Sequence, residues 1–192
     1  MIRCNPDDAE AHSNLGLAYD KQDRYEEAVA CYKEAIRCNP DDTEARHKMA
    51  SGFLKQGRRD EAITCYREAI AHNPADAQAH SNLGWVYEDQ GNLGLAIFFY
   101  RQAIQIDPDD SLTCCDLARA YAEKGDTDQE IACYKQAVRA SPSSGLWYYD
   151  LGKAYLKQND ITSALEVHKV LKKLGEKEEA DELFYLIHKK PQ

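Results

Sequence analysis

Cysteine and histidine are the residues here whose types could do chemistry, and the chain carries seven of the first and six of the second. Cys31, Cys65 and Cys133 are separated by multiples of 34 residues, as are Cys4 and Cys38. Residues that recur at a fixed period occupy equivalent places in stacked units, roughly 8 to 10 Å apart, too far for a disulfide. They read as packing thiols, a common role for buried cysteine. Cys114 and Cys115 are adjacent, so on a helix their side chains diverge by about 100° and cannot chelate one metal unaided. Cys115 is expected at a groove or on a helix surface. No HExxH, glycine-rich phosphate loop or GxSxG occurs, so neither metal, cofactor nor catalytic site is expected and an enzyme is disfavoured.

The elements that position these residues are set by the same period. Pro6, Pro40, Pro74, Pro108 and Pro142 lie 34 residues apart. Units starting at Ala9, Thr43, Ala77, Ser111 and Gly145 align Leu15, Met49, Leu83, Leu117 and Leu151 at the seventh position. Gly16, Ala50, Gly84, Ala118 and Gly152 follow at the eighth, and Tyr19, Phe53, Tyr87, Tyr121 and Tyr155 at the eleventh. Later in each unit Ala28, Ala62, Ala96 and Ala164 align, then Tyr32, Tyr66, Tyr100 and Tyr134, then Ala35, Ala69, Ala103 and Ala137. Spacings of three, four and seven place these residues on one stripe of each of two amphipathic helices. Gly57, Gly91 and Gly125, with Asp23 and Asn159 in the same slot, predict a left-handed residue closing the first helix. Each proline separates one unit from the next, where its missing amide hydrogen does least harm.

This order of large apolar, small, aromatic, Ala, aromatic, Ala and Pro resembles the tetratricopeptide repeat (TPR) family over almost the whole chain. The resemblance implies an all-α fold, a right-handed superhelical array (α-solenoid) of about five helix-turn-helix repeats with a C-terminal capping helix. The units are residues 9–42, 43–76, 77–110, 111–144 and 145–175, the last with a degenerate second helix in which His168 and Leu171 replace the aromatic and the alanine. Residues 1–8 duplicate 35–42 in part and read as the end of a truncated preceding repeat, and 176–192 as the capping helix, with Ala180, Leu183, Phe184 and Ile187 on one face. Glu130 stands in the alanine slot of the fourth unit, which predicts a loosened hairpin or a shifted second helix there. His12 and His80 take a position the family often gives to tryptophan, a half-buried packing place.

In the family, first helices line a concave groove that holds protein partners. Carried onto this chain, the groove residues singled out are Asn14, Leu17, Lys48, Leu54, Asn82, Trp85, Asp89, Asp116, Arg119, Tyr149 and Lys153. Trp85 beside the small Ser51 and Ser81 is the expected anchor for a partner's apolar side chain. Asn14 and Asn82 match the asparagines that bond a peptide backbone in related arrays, but Lys48, Asp116 and Asp150 break that ladder. Glu88, Asp89, Asp116, Glu123 and Asp150, relieved by Arg119 and Lys153, favour a partner with basic residues around an apolar anchor. Chaperone-binding members use a clamp of two lysines, two asparagines and an arginine for a C-terminal carboxylate. Here Ser51, Leu112 and Asp116 stand where Asn, Lys and Arg are wanted, so no chaperone carboxylate clamp is expected. On the opposite, convex side Leu95 and Phe98 replace charged residues and mark a second candidate patch.

A net charge of −9 disfavours a sequence-independent grip on nucleic acid or anionic lipid. No apolar run approaches the roughly 18 to 20 residues that span a bilayer, and the N-terminus lacks a signal-type apolar stretch. With an odd cysteine count and no CxxC pair, a cytoplasmic chain with reduced thiols is expected. The leading function is a protein-interaction scaffold. The alternatives are a substrate-docking segment of a larger enzyme, such as a glycosyltransferase or phosphatase, and an oligomerisation element. In the last, Leu15, Leu17 and Tyr19 would bury an uncapped N-terminal end against a second copy.

Overall fold

The computed structural model describes residues 6–189; Cys4, the duplicated opening segment through Asn5, Lys190 and Pro191 lie outside it. The described residues form eleven helices and no strand. They are α1 (Pro6–Asp20), α2 (Tyr25–Cys38), α3 (Thr43–Lys55), α4 (Arg59–His72), α5 (Ala77–Asp89), α6 (Leu93–Ile106), α7 (Ser111–Lys124), α8 (Thr127–Ala140), α9 (Gly145–Lys157), α10 (Ile161–Leu174) and α11 (Lys177–His188). They divide into two compact units between Val86 and Tyr87, within α5. In the first unit α1 packs on α2, α2 on α3 and α3 on α4. In the second the chain of contacts runs from α6 to α11, and α11 also reaches back to α9. No helix among the described residues is long and apolar enough to cross a membrane.

Every hairpin turns the same way. Asp23, Gly57, Gly91, Gly125 and Asn159 all take positive φ, between 57° and 82°, as their slot predicts. The following amide then donates back across the turn to the carbonyl of the eleventh-position aromatic, as from Arg24 to Tyr19 at 3.0 Å and from Arg58 to Phe53 at 2.9 Å. This is the six-to-one bond of the Schellman motif, and it satisfies a carbonyl the helix would otherwise leave open. In the first two hairpins the arginine side chain also lies over that ring, 4.4 Å from Tyr19 and 4.6 Å from Phe53. The turns between repeats are fixed by carboxylates: Asp42, Asp76 and Asp110 accept from amides of the next helix's first turn at 2.8 to 3.1 Å.

At two of the eighth positions a facing buried side chain leaves no room for a Cβ. A Cβ on Gly16 would come within 2.7 Å of the buried Tyr32 ring, and one on Gly152 within 2.6 Å of Leu183. The seventh-position residues Met49, Leu83, Leu117 and Leu151 are buried, but Leu15 is 46% exposed. Three expectations are corrected. Glu130 neither loosens α8 nor shifts it: the helix keeps the length of its counterparts α2, α4 and α6, and the carboxylate, 3% exposed, takes an ion pair from Lys157 of α9 at 2.6 Å. Cys115 is buried, neither at a groove nor on a helix surface. Its neighbours on α7, Cys114, Leu117 and Ala118, are buried as well, so this helix packs more than one stripe of its circumference. In α11 Ala180 and Leu183 are buried while Phe184 is exposed, its ring 4.0 Å from that of His188 and 5.4 Å from that of His168. Adjacent residues diverge by about 100°, and the seam that α11 buries is narrower than that.

Candidate functional site

In the first unit α3, the start of α5 and the turn joining α4 to α5 enclose an open groove of about 1120 Å³. Its inner wall is Tyr66 of α4, buried and with its phenol pushed up to about 12 by that burial. The His47 ring lies 5.8 Å from that of Tyr66, tilted by 50°. His47 Nε2 sits 2.8 Å from Asp76 Oδ2, and its Nδ1 is 3.5 Å from the Asn82 amide nitrogen. Asp76 therefore has both oxygens engaged, because Oδ1 accepts from the Ala79 amide at 2.9 Å. One carboxylate caps α5 and holds a side chain of α3 against it. Asp76 and Asn82 thus bracket the imidazole, one at each ring nitrogen.

The rims differ in character. Lys48 is paired with Glu44 at 2.8 Å and Lys55 with Asp20 at 2.7 Å. Trp85 presents an apolar surface, 46% exposed. Asp76→Ala is expected to cost about 1 to 2 kcal/mol, from the lost cap and the untethered imidazole. A chemical-denaturation midpoint unmoved by it would mean that Asp76 holds neither.

Of the residues singled out from sequence, Lys48, Leu54, Asn82 and Trp85 share this groove. Asn14, exposed, and Leu17, half-buried, lie on α1 and do not line it, and Asp89 is exposed at the end of α5. His47 on α3, Asp76 and Tyr66 also line the groove, and the last two, which lie outside the first helices, are not among the positions the family pattern points to. The recurrence of Asp42, Asp76 and Asp110 every 34 residues signals a helix cap. The second oxygen's partner, 29 residues away, leaves no mark in the sequence.

In the second unit the row of carboxylates is largely engaged. Arg119 binds Asp116 at 2.5 Å and Lys153 binds Asp150 at 2.7 Å. Glu88 accepts the Tyr100 hydroxyl at 2.5 Å. Burial raises the Asp116 carboxyl above its ordinary range, Arg119 pulls against that, and Glu88 and Asp110 add to it. Tyr149 stacks under the Lys153 ammonium at 4.6 Å, and burial with a hydrogen bond to Glu182 pushes its phenol up to about 12. Asp116 and Asp150 thus each have a cation beside them.

Burial pushes the Cys65 and Cys114 thiols up to about 12 and Cys133 up to about 11, opposite to what activates a nucleophile. Among the described residues no three His, Cys, Asp or Glu side chains gather as a metal site. Leu95 and Phe98 are exposed on α6.

Comparison with known proteins adds the context for this geometry. Profiles described as tetratricopeptide repeat match residues 9–42 and 47–111, and one described as TPR repeat matches 118–159. No curated protein sequence matches. Solved structures that resemble the chain include MamA from Desulfovibrio magneticus RS-1, 21% identical with a TM-score of 0.73 over 89% of this chain and 97% of that one. PilF of Pseudomonas aeruginosa is 17% identical, with a TM-score of 0.72 over 92% of this chain and 89% of that one. YrrB, described as a TPR protein with an unusual peptide-binding site, is 16% identical, with a TM-score of 0.66 over 85% and 84%. At these identities the likeness concerns the fold.

Proposed function

The chain belongs to the tetratricopeptide repeat family, and from that premise we propose that the groove of its first unit holds an extended segment of a protein partner. Arrays of this family are protein-interaction scaffolds and generally lack catalysis. The observation that carries the finer reading is the half-exposed Trp85 indole on a groove of about 1120 Å³ that the Asn82 amide also lines. An indole in a concave site supplies large contact area at low entropic cost, and a side-chain amide reads a peptide backbone. The peptide-binding site ascribed to YrrB, a relative in fold, supports the same class of ligand. Buried, weakly acidic thiols fit a reducing compartment, and the cytoplasm is the proposed location.

The test begins with peptides selected from a displayed random library on the whole chain. Trp85→Ala is expected to weaken them at least about tenfold, equivalent to about 1.4 kcal/mol, with circular dichroism unchanged. Asn82→Asp should weaken those whose backbone it reads. Peptides that bind both variants with undiminished affinity would place the ligand elsewhere.

A further inference from the structure

We propose that the outer face of the second unit, between α6 and α8, is a separate docking surface for an acidic segment carrying an apolar anchor. The composition of α6 is the first observation. Its fourteen residues, Leu93–Ile106, include no carboxylate and a single charged side chain, Arg101, in a chain with 33 acidic residues against 24 basic ones. Leu95, Phe98 and Ile106 stand exposed on it, Phe98 at 53%. Phe98 is not loose: its ring meets the edge of Phe99 at 5.0 Å, and Phe99 stacks on Tyr87 at 5.6 Å. A preorganised aromatic on a surface loses little entropy when a partner covers it.

Shape and charge agree with that reading. Two depressions, of about 360 and 570 Å³, share Arg101 and Gln105 and so adjoin along α6. The larger is floored by the buried Leu117 and Tyr121 of α7. Its cations are Arg101 and Lys124, and neither is in an ion pair among the described residues. The one carboxylate that lines either depression, Asp126, is occupied as the N-cap of α8, accepting from the Gln129 amide at 3.2 Å. The surface thus offers two cations against one carboxylate, glutamine side chains able to bond a backbone, and a seat for an aliphatic or aromatic side chain.

A basic segment would meet two cations here and a single carboxylate, Asp126, already engaged through one oxygen as a cap. Two cations on a chain of net charge −9 are also too few for a phosphate backbone, whose binding grows with the number of charges neutralised. The complementary occupant is a protein segment in which aspartate or glutamate flanks leucine or phenylalanine. This surface is independent of the groove at Trp85.

The experiment titrates the full chain, labelled with nitrogen-15, with the acetylated and amidated probe peptide Glu-Glu-Leu-Phe-Asp-Asp. Controls replace its acids by lysine or its Leu-Phe by Ser-Ser. Saturable binding is expected for the parent peptide alone, with amide shifts clustered on α6 and α8. Phe98→Ala, and separately Arg101→Glu with Lys124→Glu, should weaken it at least about tenfold, while Trp85→Ala leaves it unchanged. The proposal is overturned if the lysine control binds equally well, if the shifts gather around Trp85, or if no saturation is reached at about millimolar peptide. Sedimentation showing a dimer that Phe98→Ala dissolves would give the face to a second copy and overturn it as well.

Discussion

Lys157→Met is expected to lower the stability of the second unit by about 2 to 3 kcal/mol, which for a chain of this size is a melting temperature lower by about 4 to 12 °C. The reason is asymmetry. Glu130 is 3% exposed, and one of its carboxylate oxygens, Oε2, is buried with no hydrogen-bond partner. The other oxygen depends on the Lys157 ammonium at 2.6 Å. Removing the cation strands a buried charge, a change that costs about 3 to 5 kcal/mol where both groups are buried. Lys157 is half-exposed, so water replaces part of what is lost. Glu130→Ala acts in the opposite direction. It restores the residue that is fully buried at the equivalent positions Ala28, Ala62, Ala96 and Ala164, and it removes the need for the cation. Introduced into Lys157→Met, it should recover most of the lost stability. Thermal melts of the two single variants and the double variant, followed by circular dichroism, test both arms. A Lys157→Met chain that melts with the parent would show that the pair contributes nothing.

Gly16→Leu carries the second large effect, about 3 kcal/mol. The nearest obstacle to a side chain at Gly16 is the Tyr32 ring, with Cε1 at 2.7 Å, Cδ1 at 2.9 Å and Cζ at 3.0 Å from the added Cβ. Tyr32 is 1% exposed, so the ring is hemmed in and cannot swing aside cheaply. Accommodation requires α1 to move off α2. Repeat arrays are stabilised by neighbour contacts, so the damage should stay near the first hairpin. Hydrogen exchange offers a direct check: amides of α1 and α2 should exchange faster, while those of α9 and α10 keep their protection. Uniform loss along the chain would contradict a locally propagating fold.

The period of 34 made most of the architecture legible, because a residue that recurs in register must do the same job in each copy. The aromatic and alanine stripes, the small eighth residue and the left-handed turn residues all followed from it, down to Asp23 and Asn159 substituting for glycine. What stayed hidden depends on contacts between residues far apart in sequence. Glu130 looked like a flaw in its own hairpin because its partner lies 27 residues on, in the next one. Asp76 could be read as a cap of α5, but its hold on His47 runs back past α4 to α3. Leu15 matched its counterparts in type yet is exposed where they are buried, since burial belongs to the neighbourhood and not to the residue. Within the groove, the sequence reached Trp85 and Asn82 and missed Asp76 and Tyr66, which come from outside the first helices.

The uniform turn also says something about descent. Five hairpins close through one backbone conformation, which L-residues other than glycine, asparagine and aspartate rarely adopt. A tract of 34 codons duplicated in the gene would therefore arrive with its own closure already made, needing no new loop to be found by trial. The same tract could be lost without leaving a mismatched junction. Lengthening and shortening of such a chain can then proceed by whole units, while the binding surfaces diverge residue by residue on top of a joint that stays the same.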